Sequence, residues 1–184
     1  MNSRSSWKAV GEANVIETSR LVLKPLSGRD LDEMHALWAE SGVRRRLFDG
    51  KSITREKAGG FLRRSDRDFE DHGHGLWGVR RKESENLIGF CGLFSGEEAG
   101  EAELLYGLSR SFRGEGFAVE AAEAAILFGF THAGLVRIRA NADEPNVASV
   151  KVMERIGMHF EGREVRDGGS LVHYEARTGG FPGV

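Results

Sequence analysis

The sequence predicts a single α/β domain (α+β in its segregation of elements) over residues 19–177, and three observations carry that prediction. The chain has 184 residues, enough for one domain with a sizeable core. Hydrophobic residues make up 40% and charged residues 29%, the balance of an ordinary globular domain. Short apolar runs of strand length alternate with longer stretches at helical spacing, and in the C-terminal half strands lead directly into helices.

Residues 1–18 are polar and read as a flexible N-terminal arm. A strand is expected over 20–26, where Leu21 and Leu23 alternate with more polar neighbours. Ser27-Gly28-Arg29-Asp30 offers a capping box for a helix that carries Leu31, Met34, Leu37 and Trp38 on one stripe. A second helix is expected from Thr54 to about Phe69. Gly59-Gly60 inside it costs about 1 kcal/mol per glycine relative to alanine, so irregularity is expected there. Strand-like runs follow at 76–81, 87–94 and 102–109. A long helix of small residues covers about 116–132, a strand 135–141, and a helix 145–156 with Pro145 in its first turn. Two last strands, 158–165 and 170–177, are joined at Asp167-Gly168-Gly169. The Gly/Pro-rich tail, 178–184, reads as frayed.

Composition narrows the function. A net charge of −2 gives no global field toward nucleic acid or anionic lipid, so neither is expected as a partner. Arg44-Arg45-Arg46 and Arg63-Arg64 read as solvated faces, with an acidic partner as the alternative. The single cysteine, Cys91, lies in an apolar run and reads as an inert buried thiol. With no apolar leader and no apolar run long enough to span a bilayer, the expectation is a cytoplasmic protein. His72 and His74 form an H-x-H pair without an obvious third ligand, so no metal is expected. His74 and Trp77 suit either an acceptor-lining role or turn and core packing.

The most informative stretch runs from Leu104 to Ala118. A strand ends, Gly114 and Gly116 remove side chains from a turn, and a helix begins. The first amides of a helix lack intrahelical acceptors and sit at its positive end, a combination that favours a phosphate or diphosphate. Arg113 adds a charged donor. An ordinary glycine turn fits the same residues. The turn is not a Walker A loop, since no Gly-Lys-Ser/Thr follows. It is not a dinucleotide fingerprint either, since Val119 replaces the third glycine and no acid stands roughly twenty residues on. Downstream, Asn146 and Ser149 stand one helical turn apart, as either a helix start with a solvated serine or a shared ligand-facing pair.

Taken in order, these segments resemble the GNAT superfamily of N-acetyltransferases. The closer likeness is to its RimJ/RimL-like branch, which includes ribosomal-protein N-terminal acetyltransferases. The residues that carry the resemblance are Ser19-Arg20-Leu21-Val22-Leu23, Leu87-Ile88-Gly89, Glu103-Leu104-Leu105-Tyr106-Gly107-Leu108, Arg113-Gly114-Glu115-Gly116-Phe117-Ala118, Pro145-Asn146-Val147-Ala148-Ser149 and Ile156-Gly157-Met158.

The resemblance implies a mixed, mostly antiparallel sheet with a V-shaped split between the fourth and fifth strands, flanked by about four helices. Acetyl-CoA would lie in the gap as cosubstrate. Backbone at Leu105, Tyr106, Gly107 and Leu108 would pair with its pantetheine arm. Amides of Arg113, Gly114, Glu115, Gly116, Phe117 and Ala118 would take its diphosphate. Asn146 would bond the pantetheine region, with Ser149 near the thioester sulfur. The implied reaction acetylates a primary amine, on a protein N-terminus or a small molecule, in a monomer or homodimer. A module that binds acyl-CoA without transferring it is the alternative. The last strand, Leu171 to Ala176, is more polar than the family pattern.

A free alkylamine has a pKa of roughly 10, and only the neutral amine attacks a thioester, so a base is required. Glu103 is the candidate, because it shares a strand face with Leu105 and Gly107, and an apolar setting would make it a stronger base. A solvent-facing strand glutamate is the competing reading, and Glu101 the substitute base. A backbone N–H near Leu105 would stabilise the oxyanion, and Ser149 would hydrogen-bond the departing thiolate.

Overall fold

The computed structural model describes residues 8–10, 14–48, 50–166 and 169–184. Among these, nine strands form one sheet in the order β1-β2-β3-β4-β5-β6-β7-β9-β8. The strands are β1 (Lys8–Val10), β2 (Val15–Glu17), β3 (Leu21–Pro25), β4 (Leu76–Arg81), β5 (Leu87–Ser95), β6 (Glu101–Leu108), β7 (Arg137–Asp143), β8 (His159–Arg166) and β9 (Gly169–Arg177). Five α-helices accompany them: α1 (Leu31–Ala39), α2 (Ser41–Leu47), α3 (Arg55–His72), α4 (Phe117–Thr131) and α5 (Val147–Arg155). Every strand pair is antiparallel except β6 with β7.

Strand alternation sends neighbouring residues to opposite faces. On one face, Leu76, Phe90 and Phe94 join Met34, Trp38, Ala58 and Leu62 from α1 and α3. On the other, Trp77, Cys91, Leu93 and Leu104 pack with Ala121, Ala124, Ala125 and Phe128 of α4. The small residues of α4 let it lie close to the sheet. At Gly129 a Cβ would sit 2.8 Å from the end of the Leu93 side chain and 3.0 Å from that of Leu135, so a methyl group would require both to shift. Burial pushes the Cys91 thiol well above its ordinary range, which leaves it an unreactive core atom.

The structure corrects the sequence reading at several elements. The expected N-terminal arm includes β2, and Ile16 is fully buried against the α4 face. Residues 1–7 and 11–13 of that arm, and Asp167 with Gly168 of the final turn, lie outside the described residues. The tail is not frayed: Phe181 is buried and meets Phe130 with ring centroids 5.8 Å apart. Gly59 and Gly60 do not interrupt α3, which runs unbroken from a Thr54 cap to Gly73 in the left-handed region. Gly59 is buried with Leu31 of α1 near its missing side chain, so the glycine serves packing between helices. Ser27 and Asp30 do form the expected capping box. The basic run Arg44-Arg45-Arg46 belongs to α2, a helix not anticipated.

Candidate active site

β6 uses its two edges differently. Along one it pairs with β5 from Leu108 back to Ala102. Along the other it pairs with β7 only at Glu101–Arg137, Ala102–Ile138 and Glu103–Arg139, after which the strands part. This is the V-shaped split, shifted in number only because β1 and β2 precede the first strand read from sequence. It opens a cleft of about 610 Å³. One wall comprises β6 from Glu103 to Leu108, the turn at Arg113, Gly114 and Gly116, and Ala118 of α4; the other, Asn141 to Asp143, the capping residue Asn146, and α5 residues Ala148, Ser149, Val152 and Arg155.

The closed end of the V is fixed by charge. Arg137 reaches Glu101 at 3.3 Å and Glu161 at 3.3 Å, and its Nε donates to Glu175 at 2.5 Å. Arg177 also donates to Glu175. The charge at the end of β9 is thereby accounted for: Glu175 serves this network, while Val172, Tyr174 and Ala176 are buried. The same contacts, with Arg139 at 3.3 Å, engage both oxygens of Glu101 in ion pairs.

At the open end, Gly114 and Gly116 both adopt left-handed φ, +86° and +84°, where a side chain is strained. Helix α4 has no side-chain cap, and its first backbone bond of this kind runs from Glu120 N to Gly116 O. Among the described residues, the amides from Gly114 to Val119 meet no backbone acceptor. Arg113 lies beside them, its Nε donating to Leu108 O at 3.0 Å. Partial desolvation, then Arg46 and Arg110, pull its pKa below the ordinary value, with Glu40 opposing. The Phe117 side chain is buried in the core and Glu115 does not line the cleft, so each has only its backbone amide to offer at this turn.

On the opposite wall Asn146 caps α5. Its Oδ1 accepts from Ser149 N at 3.3 Å and its Nδ2 donates to Ser149 Oγ at 2.9 Å. Ser149 Oγ thus spends a lone pair on Asn146 and keeps its own proton to donate. Tyr106 crosses from β6, its phenol donating to Ser149 O at 3.1 Å. Burial raises that phenol's pKa, so it stays a donor and holds the two walls together.

Glu103 sits at the point of divergence and accepts from Asn141 Nδ2 at 2.6 Å. It is exposed, which agrees with the solvent-facing reading of this strand glutamate rather than with an apolar setting. His74 and Trp77 are not cleft residues. Trp77 is fully buried between Phe69 and Phe128, and its indole N–H donates to Asn14 O at 2.6 Å. His74 is buried with Nδ1 2.8 Å from Leu93 O, and burial lowers its pKa. Residues missed from sequence are Gly42, Val43, Arg46 and Leu47 of α2, and Ala148, Val152 and Arg155 of α5. The last three follow helical spacing on the Ser149 face, a signal that was present.

Among the described residues, no helix is long and apolar enough to cross a membrane. The chain matches the model of the acetyltransferase (GNAT) domain over residues 20–159. It is 29% identical over 147 residues to the uncharacterized N-acetyltransferase p20 of Bacillus licheniformis, covering 79% of this chain and 82% of that relative. The fold is shared with spermidine N-acetyltransferase from Vibrio cholerae in complex with CoA and spermine. That pair has a TM-score of 0.74 at 21% identity, over 88% of this chain and 98% of the other. It is shared too with RimL, a ribosomal alpha-N-protein acetyltransferase in complex with coenzyme A, at a TM-score of 0.74 and 16% identity over 86% and 94%. A sheet parted at one parallel pair, an open helix start on one side of the gap and a domain match over most of the sequence agree: this chain is an acetyltransferase and belongs to the GNAT family.

Proposed function

We propose that the protein transfers an acetyl group from acetyl-CoA to a primary amine by direct attack within a ternary complex, as a RimJ/RimL-like member of its family. The observation that carries this reading is the pairing of two unused sets of backbone groups on one cleft wall. Among the described residues, the β6 edge beyond Glu103 has no partner strand in β7, and the amides from Gly114 to Val119 have no backbone acceptor. An extended amide-bearing arm and a diphosphate are the groups that such a wall satisfies.

Bound acetyl-CoA supplies a thioester carbonyl as electrophile and a thiolate as leaving group. The chain's own residues do the rest. Leu105 and its neighbours on β6 offer backbone groups that orient the donor. Glu103, exposed and steadied by Asn141, takes the amine proton through water rather than from an apolar pocket. Ser149 turns its free hydroxyl proton toward the sulfur, where it contributes positioning. Asn146, whose amide already serves Ser149, acts mainly by fixing that hydroxyl and keeps one N–H for pantetheine.

The acceptor is a protein N-terminus or a small-molecule amine, and the reaction is placed in the cytoplasm. A mass-spectrometric screen with acetyl-CoA, peptides with free N-termini and a polyamine series tests the proposal. A mass gain of one acetyl group on one acceptor class, with CoA released in equal amount, is expected. Absence of transfer to every amine, with CoA binding intact, would overturn the transfer reading.

A further inference from the structure

The residue pair that holds the turn above lies on neither wall. Glu120, in the first turns of α4, is buried and surrounded by donors from one short segment. Thr18 Oγ1 donates at 2.6 Å, Ser19 Oγ at 2.9 Å, Arg20 N at 2.9 Å, and Arg20 Nε at 2.7 Å to the second oxygen. Burial pushes the Glu120 pKa up, but these hydrogen bonds outweigh it and hold the carboxyl below its ordinary value, so it is a carboxylate at neutral pH. The Arg20 guanidinium, clamped by that carboxylate, has one nitrogen left over. It donates to Glu115 O at 3.0 Å, and the guanidinium lies 4.5 Å from the centre of the Phe117 ring.

Glu115 stands between the two left-handed glycines, Gly114 and Gly116. A peptide unit flanked in this way turns over readily, because glycine tolerates both signs of φ. The Glu115–Gly116 peptide is trans, so its carbonyl oxygen and its N–H point in opposite directions. With the oxygen drawn to Arg20, the Gly116 N–H is directed away from Arg20, and Gly116 lines the cleft. Were the peptide to turn over, a carbonyl oxygen would take that place.

We infer that Arg20, held by Glu120, is a positioning residue that locks the Glu115–Gly116 peptide with its N–H toward the diphosphate of the donor. This inference rests on the proposed use of acetyl-CoA, and it assigns a task to a segment nearly a hundred positions away in sequence. Arg20 touches no reacting atom. Its effect is confined to the diphosphate, and that gives it a signature that general loss of packing lacks.

The test compares CoA with pantetheine, which has no diphosphate, by calorimetry, and acetyl-CoA with acetyl-pantetheine as donors. In Arg20→Ala the Kd for CoA and the KM for acetyl-CoA should rise about ten- to a hundredfold, the loss of one charge-assisted hydrogen bond. The KM for acetyl-pantetheine and kcat at saturation should stay within about twofold of the unaltered protein. Arg20→Lys keeps a cation against Glu120 but loses the fork to Glu115. It guards against a folding defect in the alanine variant and should show the same selective loss with a near-native Tm.

A third measurement needs no substitution: the Gly116 amide ¹⁵N signal of the intact protein should shift strongly when CoA is added and little when pantetheine is added. Equal loss toward both donors, unchanged CoA binding in the lysine variant, or a Gly116 amide indifferent to CoA would each overturn the lock. If the unaltered protein bound no CoA at all, the function proposed above would fall first, a result separate from any of these.

Discussion

The two walls of the cleft both pass from a strand into a helix, yet they end in opposite states. On the β6 side, α4 starts at a left-handed glycine with no side-chain cap and a run of amides that meet no backbone acceptor among the described residues. On the β7 side, α5 starts at Asn146, which bonds Ser149 through both ends of its amide. A helix start left open is costly in isolation, because unsatisfied donors forgo their hydrogen bonds. The difference teaches that the two starts divide the labour. On the function proposed above, one is completed by the cosubstrate, and the other is completed by the chain so that it can present a single hydroxyl.

The hardest blow to the open wall is Gly116→Glu. A carboxylate brought to about 4 Å from a phosphate charge costs about 4 kcal/mol near a protein surface, so the Kd for CoA should rise roughly a thousandfold. A side chain at the +84° φ of Gly116 is also strained, by about 1–2 kcal/mol. Gly116→Ala carries that strain without the charge. Calorimetry on the two variants separates the effects, and equal CoA affinity in both would remove the phosphate from this corner.

Where the walls meet, Glu103→Gln asks whether the exposed carboxylate does chemistry. It should lower kcat by about a hundredfold near neutral pH while the Kd for CoA stays put. Glutamine keeps an oxygen for Asn141, so the Glu103–Asn141 contact survives the change. An unaltered kcat would reduce Glu103 to a brace between β6 and β7.

Much of this contrast was legible in the sequence, for local reasons. Gly114, Gly116, Asn146 and Ser149 act within a few residues of themselves, through turn geometry and capping, and a linear reading finds them. The capping box at Ser27 is local in the same sense, whereas the mostly antiparallel sheet followed only from the family resemblance. What escaped depends on distant partners. Trp77 looked free to line a pocket, yet its N–H is claimed by Asn14, 63 positions earlier. Glu103 fitted a desolvated base or a solvent-facing strand residue equally from sequence, and strand divergence leaves it open to water. The polar β9 looked anomalous until Arg137 brought Glu101, Glu161 and Glu175 together across three strands. Helix α2 was hidden because three arginines in seven residues mask any apolar stripe; only Val43 is buried.

The gentlest test falls on the closed wall. Asn146→Ala removes a cap that the chain itself supplies, so the main effect should be on stability, at about 1 kcal/mol. Thermal unfolding should shift by a few degrees, while the Kd for CoA changes by no more than about fivefold. Ser149 would lose the donor that fixes its hydroxyl, and kcat should fall modestly beside it. If instead CoA affinity fell as far as in Gly116→Glu, Asn146 would be a principal ligand for the cosubstrate, and the two helix starts would no longer differ in kind. The present geometry argues against that outcome, because both ends of the Asn146 amide are already engaged within its own first turn.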